Sequence, residues 1–365
     1  MDKEFLLKYL NTDSPSSNEV EAQQAWIEQV TKTHIDVTSD NYGNTVVHVP
    51  DNSPLRMGGF PIMDENRFRV VIDAHCDEIG WLVSRITDEG FIYVKRNGGT
   101  DNSITPGQQI KIMTEEHGKV KGFFGWIPIH LKDKEKPEKA TEDNIYIDVA
   151  ATSKEEVEEM GIEVGNFVVQ DREAEIVNEK YVVGKSIDDK IGGFIFTEVL
   201  KKLKEEEIKL PYDLYVVNSV QEEVGLFGAK MITETIKPHV AVCFDVCFDT
   251  NTPMIKKDKY GDFKMGEGLV FRQGRDVHIN LLRHMKKVAK GSEIPFKLSV
   301  GGGGGTNTFS YYLSNGGVVT STVSVPLRGM HTPNEMINLD DVQTAIDYFV
   351  ELLKSIEYQH DFKLV

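Results

Sequence analysis

The chain has 365 residues, with Lys+Arg of 41 against Asp+Glu of 58 and a net charge of -17; this is length for about two domains and a large core. The acidic balance disfavours the phosphate neutralisation that general nucleic-acid binding needs. No apolar run approaches the ~18 residues of a membrane helix, and "MDKEFLLKYLNTDS" lacks the basic start, apolar stretch and cleavage site of a signal peptide, so a cytoplasmic protein without membrane or nucleic-acid partners is expected.

Along the chain, "NEVEAQQAWIEQV" has helical spacing after the cap-like "SPSS", and "NYGNTVVHV" turns into a β-like run. From about residue 81 to 178 the texture changes to short β-like runs, "WLVSRI", "FIYVKR", "QQIKIM", "KVKGFF", "NIYIDVA" and "FVVQ", punctuated by Gly, Asp and Pro. This reads as a separate β-rich domain inserted between residues 1–80 and 179–365. The later part alternates helix-like "DKIGGFIFTEVLKKLKEEE", "GLFGAKMITETI", "VHINLLRHMKKVAK" and "DDVQTAIDYFVELLKSI" with strand-like "DLYVVNSV" and "VAVCFDV". Such alternation predicts an α/β domain with a mostly parallel or mixed sheet flanked by helices. The run "GGGGGTNTFSYYLSNGG" reads by composition as a linker; its place between strand-like "FKLSV" and helix-like "TFSYYLS" also allows a glycine wall that admits a ligand to the backbone. It lacks the Gly-Lys-Ser/Thr ending of a phosphate loop.

In open α/β sheets ligands gather at the carboxyl ends of strands. There the sequence puts His75 and Asp77 in "VVIDAHCD", Asp188 and Asp189 in "YVVGKSIDD", Glu222 and Glu223 in "LYVVNSVQEE", Asp245 in "VAVCFDV", and His331 after "VVTSTVSVPLRGMHT". Imidazoles and carboxylates are the N/O donors of zinc, cobalt or manganese, and their surplus over four suggests two ions sharing a bridging carboxylate. Strand alternation puts His75 and Asp77 on one side, so Asp77 can accept the second N–H of the imidazole. Adjacent side chains diverge, so one of Glu222 and Glu223 can bind metal while the other leans over the coordinated water. Cys76, Cys243 and Cys247 form no C-x-x-C pair and read as buried or half-buried thiols of a reducing compartment. His278 and His284 fall on a predicted helix; they and His34, His48, His117, His130, His239 and His360 read as structural or surface residues.

With "DAHCDEIG", "GKSIDDKIGG", "QEEVGLFGAK", "FDV" and "PLRGMHTPNE" in this order across nearly the whole chain, the sequence resembles the co-catalytic metallo-aminopeptidases of the glutamyl and tetrahedral aminopeptidase type, some of which carry the name cellulase M. The resemblance implies a zinc-exopeptidase-like α/β fold with an inserted β-barrel or PDZ-like domain used in oligomerisation, often toward a dodecamer. It implies one ion held by His75, Asp188 and Asp245, and a second by Asp188 as bridge, Glu223 and His331, with zinc, cobalt or manganese as the metal. Asp77 would orient His75, Glu222 would be the general base, and the substrates would be peptides with a free N-terminus. Two positions depart from the family pattern and bear on substrate preference: Asn307 in "GGTNTF" replaces a carboxylate, and "DVCFDT" lacks a histidine that often follows Asp-Val. The competing readings are an acylase or other metal-dependent amide hydrolase, and a non-catalytic metal-binding scaffold. An endoglucanase fits less well, because glycoside hydrolysis needs two carboxyls flanking the bond and has no use for two histidines.

Overall fold

The computed structural model describes residues 1–51, 56–57, 60–61, 67–133, 135, 138–301, 305–357 and 362–364, with backbone alone at 56–57 and 60–61. The described residues build an eleven-stranded mixed sheet and a separate closed barrel. At the centre of the sheet, the strand Arg69–His75 pairs in parallel with Asp213–Ser219 on one side and Val240–Phe248 on the other, and Val240–Phe248 pairs in parallel with Val319–Arg328. Their apolar runs match strands covered on both faces. Antiparallel strands close the flanks: Thr45–Val49 and Val37–Ser39 beyond Asp213–Ser219, and Glu335–Asn338, Tyr181–Gly184 and Glu175–Val177 beyond Val319–Arg328.

Alternation along the central strand divides the core. Val70, Ile72 and Ala74 pack with the helices Lys3–Leu10, Val20–Val30, Ile187–Glu205 and Leu339–Ser355, while Val71 packs with Phe227–Ile236 and Asn307–Tyr312 on the opposite face. By the same period of two, His75 lies on the Val71 side. The strand expected to end near Asp245 continues to Phe248, because Val319–Arg328 keeps pairing with it after its partner Arg69–His75 has ended.

The barrel consists of the antiparallel strands Gly80–Ile86, Ile92–Asn97, Gln109–Met113, Lys119–Gly125, Tyr146–Asp148 and Phe167–Gln170. It has its own core, including Trp81, Val83, Ile92, Ile110, Ile112, Phe124 and Val168. Inside this β-rich stretch lies a short helix, Lys154–Glu159, whose start is capped by Ser153 accepting from Glu156 N–H. Three charged or polar patches of sequence meet where the barrel rests on the sheet. Buried Asp13 receives Lys111 and Lys119 of the barrel at 2.7 Å each, and Lys185 Nζ at 2.6 Å. Lys185 Nζ in turn lies 2.8 Å from Glu78.

His278 caps the helix Ile279–Gly291 instead of lying within it, and His284 on that helix is 2.9 Å from Ser355 Oγ. His360 and Gly302–Gly304 of the glycine run lie outside the described residues. Among the described residues, no helix is long and apolar enough to cross a membrane. Cys76 and Cys243 are buried, Cys247 is half-buried, and all three are unpaired.

Candidate metal centre

His75 closes the central strand and is 2 % exposed. Its Nδ1 is 3.3 Å from Asp77 Oδ1 and 3.2 Å from the Asp77 carbonyl. Asp77 also accepts the Ser16 hydroxyl at 2.6 Å and the backbone N–H groups of Glu222 and Glu223 at 2.9 and 3.1 Å. Burial opposes charge on Asp77, but His75 and these donors outweigh it and hold the carboxyl below its usual range. One carboxylate therefore fixes both an imidazole and the backbone of the Glu-Glu pair, across 145 residues of chain.

Asp188 stands between the two histidines. His75 Nε2 is 3.3 Å from its Oδ1 and His331 Nε2 is 3.5 Å from its Oδ2. His331 Nε2 lies 3.1 Å from Glu223 Oε1, and Glu222 Oε2 lies 3.9 Å from His75 Nε2. Asp245, on the extended part of its strand opposite Ser324, joins a second cluster. Donor atoms of His75, Asp188 and Glu223 fall within 4.8 Å of one another, and so do those of His75, Asp189 and Asp245. The structure thus gathers His75, Asp188, Glu222, Glu223, Asp245 and His331 around one spot, with Asp77 behind His75.

Two carboxylates not singled out as ligands or orienters also belong to this assembly. Asp189 faces His75 and Asp245, and neither of its buried oxygens has a hydrogen-bond donor. Its neighbour in "SIDD" was visible in sequence, but which of the two aspartates faces which histidine was not. Glu335, 2 % exposed, accepts Asp188 N–H at 3.0 Å on one oxygen and His331 N–H at 2.7 Å on the other. The signal for it lay in "PLRGMHTPNE", whose final residue is this clamp. His331 itself adopts a left-handed φ of 60°, and Ser186 and Gln221, beside Asp188 and Glu222, have φ of 50° and 56°. Non-glycine residues in this region carry strain that commonly marks functional sites.

Electrostatics test whether the donors suit a cation. Among the described residues, Asp188, Glu222 and Glu223 form ion pairs with histidines and with no lysine or arginine. Burial pushes Asp245 up to about 8, with the Asp188 charge adding to it, and burial with neighbouring carboxylates raises Asp189, Glu222 and Glu223. Burial favours neutral imidazoles, yet the surrounding carboxylates overcome it and push His331 up to about 11 and His75 well above its usual value. A site that draws protons onto its histidines this strongly is short of positive charge, and divalent cations on N and O donors supply it while displacing those protons. The orphaned oxygens of Asp189 and the shared carboxylate of Asp188 fit such ions.

Asn307 does not line an open substrate end. It is 3 % exposed and donates to Ser219 Oγ at 2.8 Å, beneath the strand ends. A small opening beside His331 is bordered by Ile79, Ser186, Glu223 and Thr332.

Residues 61–348 match the model of the M42 glutamyl aminopeptidase family. The chain is 30% identical over 325 residues to lysyl aminopeptidase of Pyrococcus furiosus, covering 88% of each chain. Its fold superposes on a TET aminopeptidase from a marine sediment Thaumarchaeota archaeon with a TM-score of 0.91, 28% identity and coverage of 98% of this chain and 97% of that one. The TET1 peptidase of Pyrococcus horikoshii, described as assembling into a tetrahedron or a large octahedral shell, aligns with a TM-score of 0.81 at 26% identity, over 96% of this chain and 98% of that one.

Proposed function

This chain belongs to the M42 glutamyl aminopeptidase family, a family of metal-dependent aminopeptidases, and from that premise we propose that it removes the N-terminal residue of peptides at a site holding two divalent cations. His75 and Asp245 hold one ion and Glu223 and His331 the other, with Asp188 bridging them and Asp77 orienting His75. The observation that carries this reading is Asp188, whose two oxygens point one to each imidazole at 3.3 and 3.5 Å. Zinc, cobalt and manganese all suit these N and O donors. When bound, such ions would supply Lewis acidity and would lower the pKa of water at the site from ~15.7 toward ~7.

Glu222 is the general base in this reading. It is 9 % exposed and faces the His75 half, and its backbone is pinned by Asp77, so its carboxylate is aimed at fixed cost in freedom. It takes a proton from water and returns it to the leaving amine, a role worth ~100 to 10,000-fold in rate. Membership of an aminopeptidase family favours exopeptidase action on free N-termini over attack within a chain. A structural metal site would be closed by its ligands and would leave no such base over.

We assign residues 81–178, apart from the sheet strand Glu175–Val177, to an inserted assembly domain. Its exposed Phe123, Ile129 and Leu131 offer apolar surface for a second copy, and the shells described for the TET1 peptidase are the pattern for a homo-oligomer here, up to a dodecamer. Unpaired cysteines fit a cytoplasmic setting.

The test is Glu222→Gln in metal-loaded protein. Metal content by elemental analysis should equal that of the parent, while turnover of free-amine peptides falls by at least ~100-fold. Undiminished turnover at full metal content would remove Glu222 from the role.

A further inference from the structure

The turn Gly98–Gly99 of the barrel, which follows the strand Ile92–Asn97, abuts the proposed metal site. There the Gly99 carbonyl accepts from His331 Nδ1 at 3.0 Å, across 232 residues of sequence. His75 has Asp77 behind its Nδ1; His331 has this carbonyl. The bond fixes the ring with Nε2 turned toward Asp188 and Glu223.

The two glycines are required by what surrounds them. A Cβ on Gly99 would stand 2.9 Å from both Cε1 and Nδ1 of His331, so any side chain there displaces the ring. Gly98 has a φ of +89°, and a Cβ on it would meet Ile79 Cγ2 at 2.9 Å and Glu223 Cβ at 3.4 Å. The turn thus abuts His331 and Glu223 together. It is tied down from the other side by Asn97, whose Nδ2 donates to the Ser16 carbonyl at 2.8 Å. Ser16 in turn donates to Asp77.

We propose that the Gly98–Gly99 turn is a positioning element for the second cation, with the Gly99 carbonyl setting the tautomer and angle of His331, so that the barrel is part of the active site as well as an assembly module. This rests on the two-ion reading above. Partners of this kind behind a metal-bound imidazole typically change affinity by ~10 to 100-fold when lost. The effect falls on the second ion, because the turn lies against His331 and Glu223, which hold that ion in the reading above.

The experiment titrates cobalt(II) into metal-free full-length protein and reads each equivalent by its visible absorption and dissociation constant. Gly99→Ala is compared with Gly107→Ala, a matched barrel control. Gly107 has a φ of +85°, and a Cβ there meets nothing within 4 Å. The expected result is two equivalents in the parent and in Gly107→Ala, with Gly99→Ala binding the first normally and the second ~10 to 100-fold more weakly with an altered spectrum. If Gly99→Ala does not fold, Asn97→Ala, which adds no bulk, decides by the same reading: a weaker second equivalent supports the proposal and an unchanged one overturns it. Parent-like second binding in Gly99→Ala overturns the role of the turn alone, as does an equal loss in Gly107→Ala. A parent protein that takes up a single ion overturns the two-ion reading and this inference with it.

Discussion

His75 ends the central strand, 2 % exposed, and its ring is braced by a carboxylate two residues along the same segment. His331 stands on a loop with a left-handed backbone, its side chain 30% exposed; its ring is braced by a barrel carbonyl and its N–H by Glu335. One half of the centre is therefore set by sheet register, which any strand of that length reproduces, and the other by contacts among segments far apart in sequence. The difference teaches that the two halves should fail independently, and that the loop-built half is where the barrel and the opening can act on the site.

Asp188 is the group the halves share, and removing it gives the largest effect. Asp188→Ala should lower bound metal below one ion per chain and turnover by more than ~1,000-fold, the several kcal/mol a Lewis-acid site supplies. Elemental analysis that still finds two ions would mean the halves do not meet at this residue.

Next comes the buried ion network beneath the site. Asp13 and Lys185 are 0% and 1% exposed, and breaking such a pair costs ~3–5 kcal/mol. Asp13→Asn should lose about that much at pH 7 in reversible denaturation. Burial acts to raise the Asp13 carboxyl, but Lys185, Lys111 and Lys119 prevail and hold it well below the usual range. A depressed carboxyl stabilises the fold above its unfolded value of ~3.9, and the benefit fades as pH drops through the lower folded value. The gap between parent and Asp13→Asn should thus be constant from pH 7 to 5 and narrow below about 4; a gap of the same size in acid would show that charge on Asp13 is irrelevant. Because the network joins barrel to sheet, the variant also asks whether the loop-built half loosens first.

The smallest effect separates the halves most cleanly. Glu335→Ala leaves Asp188 N–H and His331 N–H without their shared acceptor. The second ion should bind ~10 to 100-fold more weakly while the first is nearly unchanged. Equal weakening of both would indicate that Glu335 supports Asp188 more than His331.

Much of this centre was legible in the sequence because short-range rules governed it. The parallel strands were apolar runs, and His75, Glu222, Glu223, Asp245 and His331 stood where such runs stopped or turned. The barrel strands stood out as short β-like runs that marked a β-rich segment, while their closure into a barrel was implied only by the family resemblance, because it depends on pairing between strands. The helices Lys3–Leu10 and Lys154–Glu159, of 8 and 6 residues, were too short for periodicity to reveal.

By itself the sequence determined the donor types, their order and the strands that carry them, since composition and period two are local properties of a chain. Only the tertiary structure decided that Asp189 as well as Asp188 lies by Asp245 and His75, that Glu335 clamps the backbones of Asp188 and His331 at once, that Asn307 is buried beneath the site, and that a glycine carbonyl of the barrel reaches His331. These depend on hydrogen bonds and close packing between segments brought together from up to 232 residues apart, and such contacts leave no period or spacing in either segment alone.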